Sequence, residues 1–440
     1  MTKNERIISG FSKLNRSQRI DLIWDRLGLN DEARSVLDAF LHNNPATQTL
    51  LEEFSENYLT NFFIPMGVVP NLVVNGKSYI VPMVIEESSV IAAASRAAKF
   101  WASHGGFYSR VTGMTKKGQI HFTWSGKAED LLGAFPLLKG RMLAATEELT
   151  SRMRQRNGGI IAVELVDKTE DLENYYQVDV SFETADAMGA NFINSCLETM
   201  AGVLVGELND SDAEGEASVI MSILSNYTPD SLVECCVECD INELAPFSGK
   251  LKPEEFARKF EMANRIAHLD VSRAVTHNKG IYNGVDAVVL ATGNDWRAVE
   301  ACGHAFAASD GNYRSLTFAE IDGSRFRYTL RLPLALGTVG GLTKTHPISR
   351  LALELLGNPD AKTLMMITAA AGLANNFAAV ASLTTVGIQQ GHMKMHLTNI
   401  LNQLGANAEE KGACKQYFSD KNIAYADVER YLNQIRNTNA

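Results

Sequence analysis

RAVTHNKGIYNGVDAVVLATGNDWR, Arg273 to Arg297, is the stretch from which the chain is best read. Its centre, Asp286 to Thr292, is a nearly unbroken apolar run, short and rich in β-branched residues. Such a run predicts a strand buried on both faces. Lys279 lies in the polar segment that leads in, near Gly280 and Gly284, and a Gly-Asn-Asp turn carrying Asp295 leads out. A buried, rigid element holds the polar side chains at its ends with little freedom. A lysine and an aspartate brought together there would polarise a carbonyl oxygen and tune each other's protonation. The commoner meaning of the same residues is a surface lysine and a turn aspartate.

The surrounding chain narrows the choice. Its 440 residues predict two or three domains. A net charge of -10 speaks against wrapping nucleic acid, which calls for a basic face. No N-terminal segment joins basic residues, an apolar stretch and a cleavage site, so a cytoplasmic protein is expected. Leu364 to Ile388 carries no charge, yet its asparagines, hydroxyl residues and alanines predict a close-packed interior helix rather than a membrane span. Of the six cysteines, Cys235, Cys236 and Cys239 form CCxxC inside an alternating stretch, LVECCVECDI. No second pair follows at zinc spacing, so they read as small apolar residues of a strand.

Near the N-terminus Ser17 is placed as a helix cap, with Ile20, Ile23 and Leu27 on one face and Gly28 at the stop. Lys13, Arg16 and Arg19 there would meet a phosphate or simply be solvated. Asn71 to Met83 predicts a hairpin turning at Asn75-Gly76. Its second arm delivers Glu86 and Glu87 to a strand end, and Ser88 or Ser89 opens an alanine-rich helix through Ala98. A carboxylate between apolar strand and packed helix suits a proton donor, and equally a helix-start carboxylate held by the dipole. From about Thr112 short alternating strands replace the alanine-rich helices. YQVDVSF alternates strictly and runs into ETADAMGANFINSCLETMAG, where Phe192, Cys196, Met200 and Val203 share a helical face. A strand, a turn with Gly189 and a helix make a candidate anion site, although GxGxxG is absent. Pro253 opens a helix with Phe256, Phe260 and Ala263 inward. RYTLRLPLALGTVGGL is a strand and a glycine turn without the P-loop ending, so its glycines serve close packing or backbone approach to a ligand. Gly387 and Gly391 are candidate hinges before two amphipathic helices, one with Leu397, Ile400, Leu401 and Leu404, the other with Val428, Tyr431, Leu432 and Ile435. His392 and His396 make HxxxH, but Met393 stands where HExxH has glutamate, so a mobile acid is preferred to a zinc site.

EESSVIAAAS, DAMGAN, HNKGIYNG with ATGNDWRA, and GTVGG with QGHMKMH together resemble the 3-hydroxy-3-methylglutaryl-coenzyme A reductases, in their soluble bacterial class II form. The resemblance covers essentially the whole chain, in order. It implies an α+β multidomain fold: a large mixed catalytic domain with a buried central helix, an inserted small α/β nucleotide-binding domain that is not a Rossmann fold, and a helical C-terminal flap. The corresponding boundaries are 1–111 and 223–386 for the large domain, 112–222 for the small one and 387–440 for the flap. The family's catalytic residues fall on Glu87, Lys279, Asp295 and His392. Its substrate residues fall on Ser89, Arg273 and Asn283, and its nucleotide residues on Asp186, Met188, Gly189 and Asn191.

The resemblance further implies NADH or NADPH as hydride donor, coenzyme A as part of substrate and product, and no metal. It implies a homodimer, or a higher oligomer of dimers, with the active site at the dimer interface, and neither nucleic acid nor membrane as partner. The implied chemistry reduces a thioester to an alcohol in two hydride transfers, with Lys279 on the oxyanion, His392 protonating the departing thiolate, Glu87 as proton donor and Asp295 holding their network. Arg152, Arg154 and Arg156 either meet a 2′-phosphate or form an exposed basic face. The alternatives are oxidation of mevalonate by the same enzyme, an inactive coenzyme A- or nucleotide-binding paralogue, and a zinc hydrolase built on HxxxH.

Overall fold

The structure is a computed structural model that describes residues 7–212, 214–385, 387, 397–398, 400–418, 421 and 423–438. Two compact units are distinguished, Met1–Pro65 and Met66–Ala440. The first holds α1 (Arg16–Leu27), α2 (Asp31–Ala39) and α3 (Pro45–Glu52). The cap of α1 is Asn15 rather than Ser17, because Asn15 and Gln18 satisfy each other's backbone N–H in a capping box. Gly28 ends the helix in the left-handed conformation, as expected. Arg16 donates to the Leu59 carbonyl at 2.7 Å and Arg19 to the Tyr58 carbonyl at 3.4 Å, so both guanidinium groups tie the unit's own chain together.

The second unit begins with the hairpin β1 (Met66–Val74) and β2 (Lys77–Val84). Asn75 and Gly76 both have positive φ and Val74 pairs with Lys77, which is the two-residue turn that the Asn-Gly pair predicts. There follow α4 (Ser88–Ala102), β3 (Tyr108–Val111), β4 (Lys116–Trp124), α5 (Ala128–Ala145), α6 (Glu147–Arg154), β5 (Gly159–Asp167), β6 (Tyr175–Glu183), α7 (Ala190–Asn209), β7 (Ala217–Ser225) and β8 (Leu232–Asp240). Next come α8 (Pro253–Leu269), α9 (Val271–Ala291), α10 (Trp296–Ala307), β9 (Thr317–Asp322), β10 (Arg325–Pro333), α11 (Gly341–Thr345), α12 (Pro347–Leu355) and α13 (Ala361–Thr384).

Two four-stranded antiparallel sheets, β3-β8-β10-β9 and β5-β6-β4-β7, give a mixed α/β architecture. The second sheet has its own core. Phe122, Trp124, Val178 and Phe182 pack on Leu131, Leu138 and Met142 of α5 and on Ile193, Leu197, Met200 and Leu204 of α7. The inward face of α7 is rotated from the expected one, so Phe192 and Val203 lie at its margins. In β6 and β8 buried and half-buried residues alternate without a break, placing Cys235 and Cys239 inside and Cys236 on the other face. Two further helices, Ala408–Tyr417 and Tyr425–Thr438, share a small core with Leu397, Ile400 and Leu401.

Asp286 to Thr292, expected to be a strand, is instead the end of the 21-residue helix α9. Buried positions recur through the whole helix at Ala274, His277, Asn278, Ile281, Tyr282, Val285 and Val288, the spacing of a helical face. Near its C-terminus the helix is enclosed on most sides, so polar residues drop out and the period vanishes from the sequence. Gly284 of α9 and Gly372 of α13 are contact surfaces between the two helices. A Cβ on Gly284 would stand 2.6 Å from the carbonyl oxygen of Ala371 on α13, and one on Gly372 would meet Val285 at 2.7 Å. Among the described residues α13 is the one helix long and apolar enough to cross a membrane, and 89% of that window is buried inside the protein. Its Asn375 donates to the Gly280 carbonyl at 2.7 Å and its Asn376 to the His277 carbonyl at 2.9 Å, which fixes α9 on either side of Lys279.

Candidate active site

Glu87 sits between β2 and α4 with extended backbone, and its side chain makes no cap bond to α4. The carboxylate turns instead to Ser89, whose Oγ donates to Oε1, and to Lys279, whose Nζ lies 3.8 Å from Oε2. Both partners are accessible, the Lys279 side chain at 65% and that of Glu87 at 40%. An exposed pair at this distance adds little stability, so its value lies in where it places an ammonium group and a carboxylate. Arg273 and Asn283 flank Lys279 on α9. Arg273 Nη2 is 3.5 Å from Nδ1 of His277, whose Nε2 faces Thr317 Oγ1 at 2.6 Å. Burial, with Arg273 and His268 adding to it, pushes His277 down to about 3, so this ring is neutral at working pH. Beneath it the Tyr328 hydroxyl donates to Asn376 Oδ1 and also reaches Thr317 Oγ1 at 3.0 Å, while Asn264 Nδ2 bonds the same oxygen at 2.8 Å.

Asp295 stands elsewhere. It caps α10, accepting from the Arg297 and Ala298 amides at 3.1 and 3.2 Å, and its carboxylate takes both Nε and Nη2 of Arg297 at 3.1 Å. Burial pushes the carboxyl up, but Arg297 and the helix amides outweigh it and hold Asp295 below the usual range. The neighbouring Asn294 amide donates to the Val289 carbonyl at 2.9 Å. Between Lys279 and Val289 a helix climbs about 15 Å. Within one chain Asp295 therefore lies beyond the C-terminal end of α9, well separated from Lys279 near the helix middle, and among the described contacts it bonds neither Lys279 nor Glu87.

Its neighbour Asn294 leads, through Gly337, to the turn between β6 and α7. Asn294 exchanges two hydrogen bonds with Gly337, at 2.8 and 3.0 Å. A Cβ on Gly337 would come within 2.4 Å of the Met188 nitrogen. Gly337 of GTVGG thus serves close packing of one turn on another, while Gly340 and Gly341 face open space with positive φ. Asp186 Oδ1 accepts from the Ala361 amide at the start of α13 at 2.9 Å, and its carbonyl accepts from Thr338 at 2.8 Å. Gly189 precedes α7 with φ of 89°, where a Cβ would strike Thr184 at 2.4 Å. No side chain caps α7 and its first turn, which includes Asn191, holds no acidic residue, so its free amides suit an anion. Lys116, nearly fully buried, reaches the same turn.

His392, His396 and Gly391 lie outside the described residues. Among the described residues there is no group of three or more metal-ligating side chains. Arg154 pairs with Glu147 on its own helix. The residues that sequence reasoning passed over are Lys116 and Asn294. Asn294 shows in the sequence only as the middle of a Gly-Asn-Asp turn, and Lys116 leaves no signal.

The chain matches the family model for hydroxymethylglutaryl-coenzyme A reductase over residues 16–397. It is 34% identical over 407 residues to the 3-hydroxy-3-methylglutaryl-coenzyme A reductase of Archaeoglobus fulgidus, covering 92% of this chain and 88% of that one. It is also similar to the class II 3-hydroxy-3-methylglutaryl-CoA reductase from Streptococcus pneumoniae bound to NADPH in open conformations. There the TM-score is 0.70 and the identity 35%, over 96% of this chain and all of the other.

Proposed function

The chain belongs to the hydroxymethylglutaryl-coenzyme A reductase family, and from that premise we propose how its residues divide the reduction of 3-hydroxy-3-methylglutaryl-coenzyme A to mevalonate and coenzyme A. The observation that carries the proposal is the 3.8 Å approach of Lys279 to Glu87 beside Ser89. In domain terms, residues 1–111 and 223–386 form the large catalytic part, 112–222 the small nucleotide-binding part and 387–440 the flap. The separate core of the β5-β6-β4-β7 sheet supports such an insertion. Because about 15 Å of helix rise separates Lys279 from the end of α9 beyond which Asp295 lies, a homodimer is the simplest way to bring them together, with the second copy supplying its aspartate. A cytoplasmic location suits these partners.

The nicotinamide cofactor supplies hydride in each of the two reductions. The uncapped start of α7, with Gly189 at its entrance and Lys116 behind it, fits the cofactor's pyrophosphate. Met188 and Asn191 flank that entrance, and Asp186 braces the turn against α13. Lys279 stabilises negative charge that builds on the thioester oxygen and later on the aldehyde oxygen. Arg273, Ser89 and Asn283 orient the substrate's acid chain along the same helix. As the hemithioacetal collapses, its carbon–sulfur bond breaks and His392 gives the departing thiolate a proton. Glu87, within reach of Lys279, delivers the proton that turns the final alkoxide into the alcohol. Asp295 remains ionised beside Arg297 and offers a fixed negative charge to the ammonium of the partner copy.

Paired rates test this division. His392→Gln is expected to lose most of the thioester reduction and to keep a larger share of mevaldehyde reduction, where no thiolate leaves. Equal losses on both substrates would remove the thiolate role. Loss of both His392→Gln and His396→Gln activity together, reproduced by a chelator, would point to metal instead.

A further inference from the structure

Lys116 opens β4, and its side chain is only 3% exposed. Its Nζ donates to Thr184 Oγ1 and, at 2.9 Å, to the Ala187 carbonyl. Thr184 Oγ1 donates in turn to that same carbonyl at 2.6 Å. The Thr184 methyl group is the atom that a side chain at position 189 would strike. Lys116, Thr184 and Ala187 thus close a clamp across the turn that leads into the uncapped start of α7. The cavity beside the clamp is lined largely by apolar groups, including Met188, Ala190, Ile193, Val299 and Cys302. The charged groups that bear on Lys116 are Glu183 of β6 and Asp186 of the turn. Cys302 of α10 lines the same cavity as a neutral thiol, since burial pushes it up.

We propose that Lys116 is a positioning residue for the dinucleotide: its ammonium holds the Thr184–Gly189 turn in its binding shape, and binding of the cofactor is coupled to uptake of a proton by this amine. The inference rests on the nucleotide role given above to that turn. A neutral donor would satisfy the same two oxygens without the cost of burying a charge. The buried charge gains most when an anion settles on the adjoining helix start, as the pyrophosphate of NADPH or NADH would.

Burial pushes the Lys116 amine down to about 8, against the opposing pull of Glu183 and Asp186. In the free protein the amine is therefore charged below pH 8 and increasingly neutral above it. A bound anion favours the charged form, so the complex keeps its proton to higher pH than the free protein does. Affinity is then level below about pH 8 and falls as pH rises beyond it, with a limiting slope of about tenfold per unit.

The test is direct binding, read from the fluorescence of reduced nicotinamide, with NADPH and NADH each titrated between pH 6.5 and 9.5. The unmodified protein should show the level region and the fall. Lys116→Met should bind about tenfold more weakly at pH 7, the loss of one charge-assisted contact, with no fall above pH 8. Calorimetry of the unmodified protein at pH 8, in buffers of different ionisation enthalpy, should register uptake of a fraction of a proton per cofactor bound. A level Kd across the whole range together with no proton uptake overturns the proposal, whether or not Lys116→Met folds. Gly189→Val separates the two readings. If it weakens both cofactors while Lys116→Met matches the unmodified protein, the role of Lys116 fails alone. If Gly189→Val leaves both affinities unchanged, the nucleotide role of the turn fails as well.

Discussion

On the N-terminal half of α9, Lys279 faces Glu87 across 3.8 Å with both side chains open to solvent. At the C-terminal end Asn294, Gly337 and Met188 meet with no room for one further carbon atom. The first region is a set of polar groups on a stiff scaffold, free to change partners. The second is a set of backbone turns locked to one another, with a buried amine behind them. The contrast follows from what each would bind. A carbonyl that is reduced twice needs donors that can rearrange between steps. A dinucleotide held by its pyrophosphate needs amides that stay where they are.

If the open pair is the catalytic one, Lys279→Ala should lower turnover by about a hundredfold or more, because an unmatched oxyanion costs several kcal/mol. A variant retaining above about a tenth of the rate would displace Lys279 from the chemistry, a limit set by about 1.4 kcal/mol. The helix rise of about 15 Å between Lys279 and the end of α9 adds a stricter check. Lys279→Ala and Asp295→Ala, each inactive alone, should regain about a quarter of the unmodified activity when coexpressed at equal levels. Random pairing in a twofold dimer makes half the dimers mixed, each with one intact site. No recovery would mean that one chain supplies both residues.

A smaller effect is expected where the turns are locked. The Cβ of Gly337→Ala must displace Met188 or its own turn, so the KM for NAD(P)H should rise by about tenfold, within the range that ångström-scale misplacement costs. The KM for the thioester should hold. A parallel rise in both would show that the two regions are not independent. The mildest change is Tyr328→Phe, which strips a donor from Asn376 and from the Thr317 network. Denaturant unfolding should show a loss of about 1–3 kcal/mol, with cofactor KM unaltered. An unchanged midpoint would mean that the polar layer under Arg273 does not hold α9 in place.

Local chemistry was legible wherever one residue decides one feature. Asn75-Gly76 specifies its turn through positive φ, YQVDVSF reports its two faces by alternation, and the asparagines of α13 mark an interior helix with polar work inside it. The reading fails at Asp286 to Thr292 because enclosure on most sides erases periodicity, and a short β-branched run then looks the same in a helix or a strand. Ser17 was passed over by the fold because capping rewards the pair Asn15 and Gln18 jointly, which single-residue preference does not register. In the site, Glu87 and Ser89 were recognisable by motif, and their meeting with Lys279 follows from tertiary packing. Lys116 was illegible. Nothing in KKGQIHF distinguishes a lysine that points inward from its neighbour Lys117, which pairs with Asp230.

The close approach of α9 to α13 at Gly284 also bears on how this chain can change by descent. Every base change that replaces a glycine adds at least one carbon, and at position 284 that carbon meets the backbone of Ala371, which no substitution can trim away. A change at Gly284 cannot be compensated by trimming a side chain of α13, whereas one at Gly372 first meets the Val285 side chain, which can shrink. The helix that carries Lys279 is thereby shut out of the slow exchange of large for small residues by which most helix pairs drift past one another. Variation among descendants of this sequence must accumulate around that crossing and leave Gly284 alone.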